Sequence, residues 1–393
     1  MERDAILGFM KDLARDPSAY LAEWAKKHDT RLIGCLPMYV PEELIHAAGF
    51  LPVAVMEGRE PISLANSHLM THSCGLIRGS YDSALTGALS YLDGVVNPLL
   101  CDQLRFFSDI WFATNRFRHT FFLHLPYKLD PNAADFLLRE LGSFQAGLEA
   151  AAGREMSPGD IRESIRLFNR DREAMGRVYA LRRKRPGLIR ARDAVDMVAS
   201  SMLMPREEHV EMVLELVREL ERLSFPPHVN ADGVRVVLAG HPCALPDAEV
   251  LNLVEEAGCV VVDDDFYFGG AAIRDVLDEE MPPVESLVGR YMRRTICPTK
   301  DEPAVFAPLG SASYRSNQAE HLINLARESQ ADGVIYLREI YCDPFDFEYP
   351  FLRERMDEVD LPFLPISTEH EIGTLEPVRT RVQAFVEMVR QRK

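Results

Sequence analysis

The sequence predicts an α/β protein made of two Rossmann-like parallel-sheet domains, related by internal duplication and accompanied by additional helices. Two stretches that begin at Arg31 and Arg235 share a strand, a turn with two prolines at matching spacing, and a helix that stops at Ala-Gly. Two others, from Asp93 and from Asp332, run from Asp-Gly through a hydrophobic strand to Cys-Asp. Strand-turn-helix units also recur by chance, but chance explains the repeated Cys-Asp poorly.

The length of the chain predicts two or three domains. It has 393 residues, of which 47% are hydrophobic and 27% charged, enough to bury a large core. We expect the N-terminal helices and the first Rossmann-like domain in residues 1–156 and a helical connecting segment in 157–228. The second Rossmann-like domain, with a C-terminal helix, is expected in 229–393.

The charge balance and the cysteine count argue against several classes of protein. With 44 basic and 61 acidic residues the formal net charge is −17, which disfavours binding to nucleic acid or to an anionic membrane. No apolar run approaches the ~20 residues that span a bilayer, and the first residues lack a signal pattern, so we expect a cytoplasmic protein. Seven cysteines, an odd number, do not indicate a disulfide framework and are expected in the core or at a metal.

Local patterns predict the elements of the first domain. Two short amphipathic helices within Asp4–Lys27 are separated at Asp16-Pro17-Ser18. A strand from Arg31 precedes a helix with Pro41 in its first turn, where the missing N–H of proline costs no hydrogen bond, and a strand over Leu51–Met56 follows.

The same reasoning continues along the chain. A helix is predicted from Ile77 to Leu92 and a strand over Thr120–Leu123. The pair Ser157-Pro158 is a typical helix cap and first turn, and Pro205 starts another helix with an apolar stripe. The chain finishes with an amphipathic helix over Val378–Gln391.

Three cysteines are expected to meet where parallel sheets bind their ligands. Cys342 lies past the carboxyl end of a strand, and ligands collect in the crevice beyond such ends. Cys74 heads a helix, which favours its thiolate, and Cys101 follows after one helix and one strand at the same sheet end. Three thiolates from two domains suit an iron–sulfur cluster with one iron left open, although soft sulfur ligands also select zinc or copper(I).

The remaining cysteines in or beside strands have a simpler interpretation. Cys35, Cys243 and Cys259 are expected in the core, because free cysteine commonly behaves as a small buried hydrophobic residue.

Several short sequence motifs between Arg31 and Phe385 are together specific for one protein family. They are PMYVPEELIHAAGFLPV, the turn at Cys74, DGVV followed by LLCD, HLPYK, VVVDDD, RTICPTK, DGVIY followed by YCDP, and TRVQAF. Together they resemble the 2-hydroxyacyl-CoA dehydratase and benzoyl-CoA reductase family. The resemblance implies a large subunit with paired Rossmann-like domains and a four-iron four-sulfur cluster. Its three cysteine ligands would be Cys74, Cys101 and Cys342, with Cys297 as an extra ligand or neighbour or else a structural residue.

The resemblance also implies chemistry and partners. Both branches of the family pass one low-potential electron into a CoA thioester, either to expel a β-positioned hydroxyl through a ketyl radical or to dearomatise a ring. The sequence has neither a GxxxxGK[ST] loop nor a dinucleotide fingerprint, so ATP hydrolysis would belong to a separate activator with its own cluster. A second, homologous large subunit and an acyl-CoA substrate are also implied. Whether a second cluster is bridged to the first stays open.

Proton donors are predicted from their position beyond strand ends. His124 and Lys128 follow a strand and would face the cleft as an acid and a thioester-oxygen partner, and Glu348 would protonate a radical. Structural or surface roles are the alternatives for all three.

Three functional interpretations remain. The first is an aromatic-CoA reductase subunit, the second a 2-hydroxyacyl-CoA dehydratase subunit, and the third a non-catalytic scaffold with inert thiols. The compact Cys-Asp-Pro segment and nearby phenylalanines favour the first, because a dry aromatic surround suits both a cluster and a flat acyl ring, although core packing explains them equally well. These phenylalanines are Phe106, Phe107, Phe345 and Phe347.

Overall fold

Two four-stranded parallel sheets form the centre of the protein. The computed structural model describes residues 2–58, 60–114, 117–223, 233–240, 243–293, 297–300, 316–369 and 374–392. In these parts of the chain, the first sheet contains β1 (Leu32–Cys35), β2 (Leu51–Ala54), β3 (Gly94–Leu99) and β4 (His119–His124) in the order β2-β1-β3-β4. The second contains β5 (Val234–Gly240), β6 (Cys259–Asp264), β7 (Gly333–Glu339) and β8 (Phe363–Thr368) in the order β6-β5-β7-β8.

The two sheets share one topology, which confirms the predicted α/β class with two Rossmann-like sheets. Every pair of neighbouring strands in the described residues is parallel. In each sheet the first strand lies between the second and the third, so the connections after the first and third strands diverge and leave a crevice beyond their carboxyl ends. The domain boundary predicted between residues 228 and 229 lies outside the described residues.

Helices cover both sheets and fill the segment between them. The helices of the first part are α1 (Arg3–Arg15), α2 (Ser18–His28), α3 (Glu42–Ala47), α4 (Gly75–Leu85), α5 (Asp102–Thr114) and α6 (Ala133–Ala152). The connecting helices are α7 (Pro158–Lys184), α8 (Ala191–Ser201) and α9 (Arg206–Arg222). The later helices are α10 (Ala248–Glu256), α11 (Gly270–Ile273), α12 (Pro283–Arg293), α13 (Asn317–Glu328), α14 (Asp343–Glu358) and α15 (Glu376–Arg392).

The helix starts follow the predicted capping residues closely. The Ser157 hydroxyl accepts from the Asp160 backbone N–H at 3.1 Å while the Asp160 carboxylate accepts from the Ser157 N–H at 2.8 Å, a complete capping box. Pro205 precedes α9 as predicted. The helix predicted from Ile77 to Leu92 is shorter: α4 ends at Leu85, and Gly87 then adopts φ +83°, which a continuing helix does not allow.

Helix α7 connects the two halves of the molecule. It packs against α3 from the first half and against β6 from the second. At its C-terminal end Arg182 donates from Nη1 to Asp264 Oδ2 at 2.7 Å and from Nε to the Val261 carbonyl at 3.0 Å. Tyr179 donates its hydroxyl to the same carboxylate at 2.9 Å. These contacts are fully buried, so they fix the position of α7 on the second sheet.

A second buried ion pair makes the stability of the fold pH-dependent. Burial alone would raise the pKa of the Glu43 carboxyl, but the charges of Arg172 and Arg290 lower it to about 2. A depressed carboxyl pKa stabilises the fold above the unfolded pKa of about 4.3, and this contribution is lost as the pH falls toward 2.

We therefore expect a Glu43→Gln variant to lose stability at neutral pH and to respond less to acid than the unchanged protein. The difference in unfolding free energy between the two proteins should shrink by about 2 kcal/mol between pH 6 and pH 3, at 1.36 kcal/mol per pH unit below the unfolded pKa. Urea titrations at several pH values measure this difference. A difference that stays constant across this range would contradict the role of Glu43.

Candidate metal centre

Three half-buried cysteines each stand immediately before a helix. Cys74 caps α4, Cys101 lies between β3 and α5, and Cys342 caps α14 shortly after β7. Strands β3 and β7 hold equivalent positions in the two sheets, so Cys101 and Cys342 come from corresponding places in the duplicated halves. Helix α4 leads back to the start of β3, which puts Cys74 at the carboxyl edge of the first sheet.

The thiols lie close enough to affect one another's ionisation. Burial raises the pKa of the Cys342 thiol, and the charges of Cys74, Glu339 and Cys101 raise it further. Burial also raises the pKa of the Cys74 thiol. The charges of Glu339 and Cys101 raise this pKa further, and the hydrogen bond from the Ile77 N–H lowers it. Burial of the Cys74 thiol therefore opposes the helix N-terminus, which favours the thiolate. A positively charged centre would be needed to ionise these thiols.

A hydrogen bond joins the two helices that follow Cys101 and Cys342. Gln103 Nε2 donates to Asp343 Oδ2 at 3.4 Å, between the first turns of α5 and α14. The first turn of α5 also directs a backbone N–H to sulfur, because Leu104 N lies 3.5 Å from Cys101 Sγ. The carboxyl edges of the two sheets therefore face each other at this point.

The predicted aromatic surround divides into two groups. Phe107 and Phe345 are buried, and Phe107 packs edge-on against Trp111 at 5.0 Å between ring centroids, so it belongs to the core. Phe106 is 51% exposed and Phe347 is 79% exposed. Each lies about one helical turn after the residue that forms the hydrogen bond between α5 and α14. The exposed rings therefore lie at the rim of the candidate metal centre, which consists of Cys74, Cys101 and Cys342.

Sequence reasoning missed three groups around these cysteines. Cys243, expected in the core, is half-buried; burial raises the pKa of its thiol, and the charges of Cys342, Cys101 and Cys74 raise it further. Two carboxylates act on Cys74 as well: that of the buried Glu339 and that of Glu57. Glu339 ends β7, and a charged residue at the end of an apolar strand was the signal that could have found it.

The three thiols are donors of the kind that an iron–sulfur cluster takes. In the described residues no three His, Cys, Asp or Glu side chains could hold one metal ion. Thiolates about 2.3 Å from one zinc ion lie about 3.8 Å apart, and those around four irons must lie farther apart. The buried Tyr336 hydroxyl, whose pKa is raised by burial and then by the charge of Cys342, has no hydrogen-bond partner among the described residues. A sulfur acceptor at this place would satisfy it.

The other cysteines have separate surroundings. Cys35 and Cys259 are 3% and 1% exposed, which confirms them as core residues. Cys297 is also buried; the Tyr39 hydroxyl donates to its Sγ at 3.0 Å, and Thr299 Oγ1 lies 2.8 Å from that sulfur. These contacts give Cys297 a packing role between Tyr39 and the Thr299 turn.

The predicted proton donors do not form one group. His124 is exposed at the end of β4, and its Nδ1 lies 3.2 Å from Glu140 Oε2 on α6. Lys128 is exposed in the loop that follows. Glu348 is 9% exposed on α14, and its charge, after burial and Cys342, raises the pKa of Tyr336. Of the three, Glu348 therefore shares its surroundings with Cys342.

None of the helices in the described residues combines the length and the apolar character that crossing a bilayer requires.

Comparison with known proteins identifies relatives along nearly the whole chain. The chain is 24% identical to a subunit of the benzoyl-CoA reductase of Thauera aromatica over 94% of this chain and 93% of that protein. It is 25% identical to the (R)-phenyllactyl-CoA dehydratase beta subunit of Clostridium sporogenes over 98% of both, and 27% identical to the lactoyl-CoA dehydratase subunit beta of Anaerotignum propionicum over 98% and 99%. All three are subunits of enzymes whose names specify a CoA thioester. The family model described as 2-hydroxyglutaryl-CoA dehydratase, D-component, matches residues 37–389, and the chain belongs to this family.

Proposed function

We propose that this chain is an iron–sulfur subunit of an ATP-dependent enzyme of the benzoyl-CoA reductase type, which passes single low-potential electrons to an aromatic acyl-CoA thioester. The observation that supports the proposal is that Cys74, Cys101 and Cys342, which come from both sheets, affect the pKa of one another's thiols. Thiolate sulfur suits iron–sulfur chemistry, and a four-iron four-sulfur cluster would supply the one-electron step that no side chain can supply.

The residues around the thiols would control water and protons. Buried Phe345 beside Cys342 would exclude water on the side of α14, which keeps the potential of a cluster low by limiting its solvation. We propose Glu348 as the proton donor closest to the centre. His124 and Lys128, exposed beyond β4, would act at the thioester end as an acid and a carbonyl-oxygen partner.

The proposal requires three partners. A homologous second large subunit would cover exposed aromatic rings near the centre; Phe106 and Phe347 stand at its rim, and Phe112 is 63% exposed further along α5. A separate activator would hydrolyse ATP and deliver electrons from its own iron–sulfur cluster, and the acyl-CoA would bind in the resulting complex. All seven cysteines are free thiols, which suits the reducing cytoplasm in which we place this enzyme.

A second candidate is the corresponding subunit of a 2-hydroxyacyl-CoA dehydratase. The observation in its favour is that the Clostridium sporogenes and Anaerotignum propionicum relatives are dehydratase beta subunits, at 25% and 27% identity over nearly their whole length. The same thiols would then pass the electron that generates a ketyl radical.

Iron analysis and turnover test the proposal in sequence. We expect the anaerobically purified chain to be brown and to carry about four irons and four sulfides. Together with its partner subunit and the activator it should then consume ATP and reduce benzoyl-CoA. A colourless chain without iron would remove both enzyme assignments and leave a scaffold. Turnover of a 2-hydroxyacyl-CoA in place of benzoyl-CoA would select the dehydratase.

A further inference from the structure

A small cavity lies where the two halves of the chain meet. It has a volume of about 20 Å³, which is room for one or two waters or for one small ion. Its wall combines α3 of the first half with the connecting helices and with α11 and α12, which follow β6 in the second half. Among the described residues that line it there is no cysteine, and the charged ones are Glu42, Glu43, Arg172, Arg206 and Arg290.

Positive charge outnumbers negative charge along this wall. In the described parts of the chain, three guanidiniums and two carboxylates line the cavity. Arg172 donates to Glu43 and Arg206 donates to Glu42, so each carboxylate already holds a guanidinium. Charges in a buried place are costly unless they are compensated. A further negative charge inside the cavity is therefore favoured.

Arg172 also has an unused donor beside the cavity. The residue is 8% exposed, and its Nη1 has no hydrogen-bond partner among the described residues. Its other terminal nitrogen, Nη2, is the one that donates to Glu43. A buried donor without an acceptor is unfavourable, and in native proteins such a donor is nearly always satisfied by protein, by water or by an ion. The cavity is the space from which an acceptor can reach Nη1.

The third carboxylate of this ion-pair network does not supply that acceptor. Asp171 is fully buried and is not part of the cavity wall. Its Oδ2 accepts from Arg206 Nη1 at 2.9 Å, and its Oδ1 lies 2.6 Å from His209 Nδ1. Both oxygens are thus engaged with other side chains, so the described residues leave the acceptor for Arg172 to a ligand.

We propose that the cavity binds one small monovalent anion, of the class of chloride or formate, which accepts a hydrogen bond from Arg172 Nη1. The guanidiniums of Arg206 and Arg290 attract the anion, and the volume is too small for an organic phosphate. Because the wall joins α3 to the segment after β6, the bound anion stabilises the contact between the two halves. This inference is independent of the proposed function, since no cysteine takes part in it.

Urea unfolding of the full chain tests the site when chloride replaces gluconate stepwise at constant ionic strength. Gluconate is too large for the cavity, and an anion that binds only the folded chain stabilises it as it occupies the site. We expect the urea midpoint of the unchanged chain to rise with chloride, with a concentration dependence that gives the affinity.

Two substitutions of arginine by lysine on the same helix test the role of Arg172. Lysine has one terminal nitrogen, so in Arg172→Lys it keeps a charge beside Glu43 without the second donor. Loss of that charged hydrogen bond should weaken chloride binding about tenfold. Arg177→Lys is the matched control, because Arg177 is about half exposed on α7 and should leave the chloride response unchanged.

A third variant changes the charge of the wall in the opposite direction. Glu43→Gln removes one carboxylate charge from the wall, so it should bind chloride more tightly than the unchanged chain does. A general effect of salt on stability would not change in opposite directions in Glu43→Gln and Arg172→Lys. If Arg172→Lys does not fold, the comparison of Glu43→Gln with the unchanged chain decides.

Two results would overturn the anion site. A urea midpoint that is the same in chloride and in gluconate would mean that water fills the cavity. A chloride response that is the same in the unchanged chain, Arg172→Lys and Glu43→Gln would mean that chloride acts elsewhere on the protein. Neither result concerns iron, so the proposed function is tested separately by iron analysis.

Discussion

Replacing Cys101 with alanine is expected to abolish cluster binding under strict anoxia while the helical content of the chain stays unchanged. Cys101 is half-buried and precedes α5, so removing one sulfur atom creates only a small space beside Leu104. The cost to folding is that of a small side-chain truncation, about 1 kcal/mol. The cost to the cluster is the loss of one of its proposed cysteine ligands. Iron content and far-ultraviolet circular dichroism measure the two effects independently.

Cys35 provides the matched control for this experiment. It ends β1, the neighbour of β3 in the same sheet, and its Sγ lies 3.7 Å from the Ile33 carbonyl in the core. We expect Cys35→Ala to keep its iron. If Cys101→Ala also kept all of its iron, Cys101 would not be a ligand. The proposed site would then have no ligand from the segment that follows β3.

Much of the fold was predictable because it depends on local and periodic signals. The Asp-Gly, strand, Cys-Asp pattern predicted β3 and β7 and the places of Cys101 and Cys342 just beyond them, as the structure shows. The repeat of that pattern predicted two sheets of one topology. Capping chemistry predicted the starts of α7 and α9 for the same reason, since a cap depends on neighbours in the sequence.

The parts that sequence reasoning missed depend on packing between distant segments. Cys243 was expected in the core, and the effect of Cys342, Cys101 and Cys74 on the pKa of its thiol requires the folded sheets. Glu339 and Glu57 come from different halves of the chain, so their common effect on Cys74 requires the folded sheets. The raised pKa of the Cys74 thiol likewise follows from burial, which a helix-start pattern does not report.

Replacing Asp264 with alanine is expected to give the largest loss of stability, about 3–5 kcal/mol, because it leaves a buried guanidinium without its counter-charge. Asp264 is fully buried and accepts from Arg182 and Tyr179 on α7, and also from the Gly270 N–H at 2.7 Å. One nitrogen of Arg182, Nη2, already lacks a hydrogen-bond partner among the described residues, so the remaining contacts of this side chain cannot absorb the lost carboxylate. Denaturant unfolding measures the change.

An exposed ion pair on the same helix separates burial from charge as the cause. Arg177 on α7 donates to Glu221 on α9 at 3.0 Å, and both side chains are about half exposed, so Glu221→Ala should cost less than about 1 kcal/mol. Replacing both buried partners, as Asp264→Leu with Arg182→Met, should recover part of the stability that Asp264→Ala loses, because neither charge of this pair is then left in the core without the other. Equal effects of Asp264→Ala and Glu221→Ala would mean that water reaches the interface of α7 and β6. In that case this ion pair would not be what fixes α7, and with it the first sheet and its cysteines, on the second sheet.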